Sequence, residues 1–176
     1  MADEGNIITD LNPDPAANGA DDGPAAGIIS QYIKDMSVEN PNAPQCYQWT
    51  EAPQIDVQFN IGAQLIEGDI HEVELKIVAA AKTSEGTAYA VDLAYAGLIG
   101  IRGLDESTSH AFLFAEAPRI LFPFARRIIA DAIRDAGFTP LMLDPIDFNG
   151  LYMQQLAAAA EQQGEGGGEG APASNS

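Results

Sequence analysis

Residues 72–96 read EVELKIVAAAKTSEGTAYAVDLAYA, and the two halves of this stretch decide the fold class. In each half large apolar residues occupy alternate positions: Val73, Leu75 and Ile77, then Tyr89, Val91, Leu93 and Tyr95. A period of two is typical of a β-strand with one buried face. The intervening K-T-S-E-G, with Gly86, is typical of a hairpin loop. The stretch therefore predicts an antiparallel β-hairpin.

Two further strands are predicted before this hairpin. The first covers roughly Tyr32 to Val38, with Tyr32, Met36 and Val38 expected on one face and Asp35, Ser37 and Glu39 on the other. The second is a half-buried strand marked by alternating Ile55, Val57, Phe59 and Ile61. The connections are too short for crossover helices, so we expect all four strands to be antiparallel.

Helical spacing follows the strands. It predicts one helix from Arg119 to Ala136, with Gly137 as its C-cap and Pro123 tolerable if it lies in the first turn. Its apolar stripe is expected to contain Leu121, Phe124, Ile128 and Ala132, flanked by Ile129 and Ile133. A second helix is predicted to begin near Asp147. Strands followed by helices favour the α+β class.

Composition divides the chain into three parts. Residues 1–27 are rich in Asp, Asn, Ala, Gly and Pro, which predicts a disordered acidic extension. Residues 161–176 are rich in Gly and Glu, which predicts a flexible tail. One folded domain is expected between them, over residues 28–160.

The charge of the chain narrows the class of partner. Its formal net charge is −18, with only eight Lys and Arg residues, so nucleic acids and anionic membranes are expected to be repelled. The acidic N-terminus lacks the pattern of a signal peptide. The most apolar stretch, Ala88 to Ile101, is interrupted by Asp92 and is too short to span a bilayer. We therefore expect a cytoplasmic protein without membrane insertion.

Few residues suggest catalysis or metal binding. Cys46 has no neighbouring His in the sequence and is interpreted as a packed thiol, while His71 and His110 lack a second ligand at metal-binding spacing. Asp144 and Asp147 are compatible with an acid/base or Mg²⁺ pair, and hence with a small hydrolase. The string D-P-I-D before a helix is explained more simply as a turn and a cap. We expect no enzyme activity and no cofactor.

Two alternatives remain open from the residues alone. Asp35 and Glu39 share a strand face, and they form an acidic patch with Asp92 if the two strands lie close together. The other interpretation is an ordinary solvated face. The apolar side of the second helix, with Phe148, Leu151, Tyr152 and Met153, is either core or the lining of a groove.

Three motifs, in order and spacing, resemble the SecB family over residues 28–160. YIKDMSVENPNAP at residues 32–44 resembles the family's first strand, and ILFPFAR at 120–126 resembles its first long helix. PLMLDPIDFNGLYM at 140–153 resembles the loop and start of its second helix. The resemblance implies a four-stranded antiparallel sheet with two main helices, assembled as a dimer of dimers.

The resemblance also implies a function and its sites. Family members are ATP-independent chaperones that bind unfolded secretory preproteins and deliver them to the SecA motor. The SecA-binding positions fall on Asp35, Glu39, Ala90 and Asp92, of which Asp92 replaces an expected Glu and Ala90 an expected Leu. The preprotein groove falls on Val57, Phe59, Phe148, Leu151 and Tyr152, with Trp49 near the family's groove-side aromatic residue. The alternative function is an oligomeric adaptor that binds a folded regulatory partner.

Overall fold

Four long strands are followed by helices in this computed structural model, which describes residues 23–165. The strands are β1 (Ala25–Glu39), β2 (Gln54–Glu67), β3 (Ile70–Thr83) and β4 (Gly86–Arg102), with a short 3₁₀ turn at Gln45–Gln48. The helices are α1 (Glu106–Ala111), α2 (Ala117–Asp135) and α3 (Phe148–Glu165), with a π-helical turn at Phe112–Glu116 between α1 and α2. The predicted α+β class, with a four-stranded antiparallel sheet and two main helices, is confirmed.

The sheet has the order β1-β4-β3-β2, and every neighbouring pair is antiparallel. β3 and β4 form the predicted hairpin, which turns at Ser84 and Glu85. β1 pairs with β4 on the side of β4 that faces away from β3. Within the described residues β1 and β2 are therefore the two edges of the sheet.

The two faces of the sheet differ because side chains alternate along each strand. On one face Leu75, Ile77, Val91 and Leu93 are almost completely buried, in the core that includes residues of α2. The opposite face has no helix over it within residues 23–165 and carries mainly alanine and polar side chains. We call it the helix-free face.

β1 differs from its prediction in length and in one side-chain direction. It starts at Ala25, so residues 25–27 belong to the sheet, although the sequence assigned them to the extension. A β-bulge lies between Ile33 and Asp35 and shifts the alternation by one residue. Tyr32 consequently shares the helix-free face with Asp35, and its predicted grouping with Met36 is wrong. The remainder of the predicted extension lies outside the described residues.

The first predicted helix is the end of a longer helical segment. Helical backbone begins after Asp105, whose carboxylate accepts a hydrogen bond from the Thr108 N–H at 2.7 Å, and continues to Asp135. Pro123 therefore lies inside the helix rather than in its first turn. The buried stripe is also rotated from the predicted one: it contains Leu121, Phe122, Ala125, Ile129 and Ile133, and leaves Phe124 43% exposed.

The second predicted helix begins where expected. Asp147 accepts a hydrogen bond from the Gly150 N–H at 3.0 Å, and α3 starts at Phe148. The helix extends to Glu165, beyond the predicted domain end at residue 160. Residues 166–176, which make up most of the predicted tail, lie outside the described residues.

Candidate functional sites: an apolar groove and an acidic sheet face

An apolar groove runs along edge strand β2 on the helix-covered side of the sheet. Its two parts have cavity volumes of about 140 and 210 Å³ and share Phe59. The first part is lined by Phe59, Asn60, Ile61, Phe114, Phe148, Leu151, Tyr152 and Gln155, and the second by Val57, Phe59, Ile77, Leu143, Asp144 and Ile146. Val57, Phe59 and Ile61 occupy alternate positions of β2, so the two parts lie end to end.

Side chains that would normally be buried are accessible in this groove. Val57 is 38% and Phe59 40% exposed. Phe148, by contrast, is buried: its ring makes edge contacts with Phe59 at 6.3 Å and with Phe122 at 5.7 Å between centroids. Phe148 thus anchors the start of α3 to the body, and leaves β2 to present the accessible apolar surface.

The far wall of the first part is held by a link between two helical segments. Tyr152 is buried, and its hydroxyl lies 2.9 Å from His110 Nδ1. The His110 ring stacks on Phe114, with 4.6 Å between centroids, and Phe114 lines the groove.

The alternative left open for the second helix therefore has a mixed answer. Phe148 belongs to the core, and Leu151 and Tyr152 line the groove. Met153 does neither, since it is 57% exposed and lines neither part of the groove.

Most predicted groove residues meet at this site, and one does not. Val57, Phe59, Phe148, Leu151 and Tyr152 all line the groove. Trp49 lies instead beside the β3–β4 turn, where a Cβ at Gly86 would stand 3.5 Å from its Cη2 atom. Residues that the sequence did not single out for the groove include Ile61, Phe114, Leu143 and Ile146.

The predicted acidic patch lies on the helix-free face. The register pairs Asp35 with Ala94, Ser37 with Asp92, and Glu39 with Ala90, and directly paired residues point to the same side. The condition that β1 lies beside Asp92 is thus met. Asp92 forms an ion pair with Lys76 on β3, at 3.4 Å, so part of its charge is compensated. Asp35, Glu39, Ala90 and Asp92 are hereafter the acidic docking surface.

A hydrogen-bonded cluster borders this surface. The Glu72 carboxylate accepts hydrogen bonds from Lys34 at 2.6 Å, Tyr32 at 2.5 Å and Gln64 at 2.9 Å, and Lys34 also contacts Glu74 at 3.1 Å. The Lys34 and Tyr32 hydrogen bonds hold the pKa of Glu72 below its ordinary value. Burial, and then the Glu72 hydrogen bond, raise the pKa of Tyr32 to about 12.

The remaining candidates take ordinary structural places. Cys46 is buried, as expected of a packed thiol. The Asp147 carboxylate caps α3, which agrees with its interpretation as a cap, and Asp144 lies at the groove. Among residues 23–165 there is no cluster of three or more His, Cys, Asp or Glu side chains suited to a metal ion. In the same range no helix has the length and hydropathy needed to cross a membrane.

Comparison with known proteins decides the family. A family model described as "Preprotein translocase subunit SecB" matches residues 19–159. The chain belongs to the SecB family. It is 67% identical to the "Protein-export protein SecB" of Erythrobacter litoralis over 171 residues, which cover 95% of this chain and 96% of that protein. It is 66% identical to its counterpart from Novosphingobium aromaticivorans over 161 residues, covering 90% and 93%.

This membership confirms the interpretation of the chain as a protein-export chaperone of the SecB family. A solved structure supports the fold: a SecB-like chaperone from Mycobacterium tuberculosis, in complex with a ChAD peptide from an antitoxin, aligns with a TM-score of 0.58. The alignment covers 69% of this chain and 90% of the mycobacterial one, at 16% identity. At that identity the likeness concerns the fold alone.

Proposed function

We propose that this SecB chain binds unfolded secretory preproteins in the apolar groove and passes them to SecA from the acidic docking surface, in the cytoplasm and without ATP or catalysis. The observation that carries the proposal is the exposure of Val57 and Phe59 along an edge strand. Unfolded chains present apolar side chains and unpaired main chain, and folded proteins conceal both. The groove therefore selects the non-native state rather than a sequence.

Binding combines two physical contributions. Apolar client side chains lose contact with water in the groove, which contributes about 25 cal/mol per Å² of buried apolar area. β2 has a strand neighbour on only one side among the described residues, so an extended client is able to add main-chain hydrogen bonds. Asp144 at the groove favours clients with nearby basic residues.

The two sites lie on opposite faces of one sheet. Asp56 and Gln58 alternate with the groove residues of β2 and therefore point to the helix-free face, whereas the groove opens on the helix-covered face. A client in the groove consequently leaves the acidic docking surface accessible to SecA. A basic element of SecA would be steered there by charge, and the interaction would weaken as salt is added.

We further propose a homotetramer, arranged as a dimer of dimers. Edge strand β1 exposes Ile29, Ile33 and Val38, and α2 exposes Phe124. Such exposure on an unpaired edge and on a helix is typical of surfaces that copies of a chain cover. Several grooves in one assembly would hold one client at several points, which raises avidity without sequence specificity.

Native mass spectrometry with one secretory precursor, presented unfolded and then folded, tests the proposal. We expect a tetramer that captures only the unfolded precursor. Equal binding of the folded precursor would refute the proposal and favour the adaptor that binds a folded partner. A monomer would refute the proposed assembly. The hydrolase alternative is tested separately: a hydrolytic activity that is the same in the wild type and in an Asp144→Asn, Asp147→Asn variant would exclude these two residues as its acid/base pair.

A further inference from the structure

The Glu72 cluster joins three strands of the sheet. Lys34 and Tyr32 extend from β1 to Glu72 on β3, and Gln64 on β2 binds the same carboxylate from the other side. Glu72 is only 8% exposed, although no helix covers this face in the described residues. The side chains from β1 and β2 themselves shield it from water.

Small residues on β4 make this contact possible. Tyr32 and Asp35 pair with Ala96 and Ala94 on β4, which pair in turn with Glu74 and Lys76 on β3, so only methyl groups stand between β1 and β3 at these positions. Strands two places apart in a sheet are separated by about 9.5 Å, which Lys and Tyr side chains span when nothing larger intervenes. Glu72 lies one pair further along, opposite Leu98, so Tyr32 and Lys34 reach it diagonally over the alanine side of β4.

The cluster contains one of the two residues at which the register of β1 shifts, the other being Ile29. The register runs from Ile33 opposite Tyr95 directly to Asp35 opposite Ala94, so Lys34 is the extra residue of the bulge. With strict alternation from Tyr32, Met36 would face the helix-free side and Asp35 and Glu39 the helices. The bulge therefore decides which face receives the two acids.

We propose that Lys34 and Glu72 are positioning residues for the acidic docking surface: their ion pair fixes the bulge, and the bulge directs Asp35 and Glu39 to the helix-free face. The inference rests on the proposed docking of SecA at that surface. Lys34 contacts both Glu72 and Glu74, so a second acceptor reinforces the arrangement. Neither Lys34 nor Glu72 needs to touch SecA for this role.

The test uses two lysines of the same face whose replacements change the charge equally. Lys34→Met and Lys76→Met each remove one positive charge near an acidic surface, so charge alone predicts tighter binding of a basic partner in both cases. Lys76→Met releases Asp92 from its ion pair, and we expect SecA binding to strengthen a few-fold. Lys34→Met disturbs the bulge, and we expect binding to weaken about tenfold, the equivalent of one hydrogen bond to a charged group.

Purified full-length SecA is the probe, titrated against the full-length chaperone by calorimetry at two salt concentrations. Affinity for a short unfolded peptide is measured in parallel and is expected to stay at the wild-type value in all variants. Lys34→Arg keeps the charge and the donors, so we expect it to restore SecA binding to within about threefold of wild type. If Lys34→Met does not fold, the Lys34→Met, Glu72→Gln variant replaces it, because it leaves no unpaired buried charge and no change in net charge. Weaker SecA binding by that variant is the expected result.

The outcomes separate this inference from the proposed function. Tighter SecA binding by Lys34→Met, equal to that of Lys76→Met, would overturn the positioning role and leave the docking surface in place. Equal loss of peptide and SecA binding in Lys34→Met would also overturn it, because the cluster would then serve general stability only. Absence of SecA binding by the wild type would overturn both proposals.

Discussion

Replacing Phe59 with alanine tests the apolar groove most directly, because this side chain lines both of its parts. A phenylalanine side chain offers roughly 200 Å² of surface, and Phe59 is 40% exposed, so about 80 Å² is available to a client. At about 25 cal/mol per Å², covering this area contributes about 2 kcal/mol. Phe59→Ala should therefore weaken binding of a single client segment by about 30-fold.

The assay is fluorescence anisotropy with a labelled unfolded peptide short enough to occupy one groove, so that avidity does not mask the loss. Phe124→Ala is the matched control, since Phe124 is the same residue type, is 43% exposed and lies on α2 outside both parts of the groove. Because Phe124 also lies on the proposed assembly surface, native mass spectrometry checks that this variant has the assembly of the wild type. We expect its peptide affinity to remain near that of wild type. Thermal unfolding of both variants checks that each remains folded, because Phe59 also contacts Phe148.

Two results would refute this reasoning. If Phe59→Ala binds the peptide as tightly as wild type, the client does not cover the accessible part of Phe59. If Phe124→Ala loses as much affinity as Phe59→Ala, capture depends on total exposed apolar area and the groove has no special role. A loss confined to Phe59→Ala supports a defined site on β2.

Three further predictions concern the docking surface and stability. Asp35→Lys with Glu39→Lys should weaken SecA binding at least tenfold in a calorimetric titration while peptide affinity is unchanged; equal loss of both would contradict separate sites. Gly137→Ala should destabilise the fold by about 1 kcal/mol or more in urea unfolding, because φ is +93° and the new Cβ would lie 3.0 Å from the Tyr47 ring; an unchanged midpoint would contradict this. The depressed pKa of Glu72 contributes stability that is present above its unfolded value of 4.5 and is lost as the pH falls through its folded pKa. The melting temperature should therefore fall on acidification below about pH 5, and fall less in Glu72→Gln; parallel pH profiles would refute this contribution.

The strands were the most predictable part of the fold. The period-two patterns in residues 55–61 and 72–96 identified β2, β3 and β4. In β3 and β4 the alternation follows a buried face, whereas the prediction of a half-buried β2 is wrong: residues 54–60 are all exposed, because the apolar side of this edge strand lines an open groove. β1 was harder, since a bulge adds one residue to the period and the sequence bears no mark of it. Tyr32 was for that reason assigned to the wrong face.

The helical segment shows how local signals compete. Pro123 suggested that the helix starts nearby. In the structure the helical backbone starts earlier, after Asp105, and continues through a π-helical turn into α2, where Pro123 lies inside the helix. The Asp105 cap was the available signal for the true start. The buried stripe was predicted with Phe124 inside, but α2 has apolar residues on two sides and periodicity alone does not say which side meets the sheet.

The candidate sites were predictable in part, because only some of their residues belong to a periodic pattern in the sequence. Strand alternation placed Val57 and Phe59 on one face, and helical spacing grouped Phe148, Leu151 and Tyr152. The family resemblance then assigned both groups to one groove. The loop residues Leu143 and Ile146 carry no periodic signal, and Phe114 lies in the segment whose helical start was missed. The Glu72 cluster depends on strand order: Lys34 and Glu72 are 38 residues apart and meet only because β1 pairs with β4 rather than with β2.

One sheet can serve two partners because alternation separates its faces, but the separation depends on the bulge in β1. On β2 the side chains alternate strictly between the two faces from Gln54 to Leu65, so Val57 and Asp56 point to opposite faces without a bulge. On β1 the acids reach the helix-free face only because Lys34 adds one residue to the strand. A change that removes the bulge would move Asp35 and Glu39 toward the helices without altering any groove residue. SecA binding should therefore be more sensitive than client binding to substitutions in β1 and in Glu72, even where these substitutions leave the acids themselves unchanged.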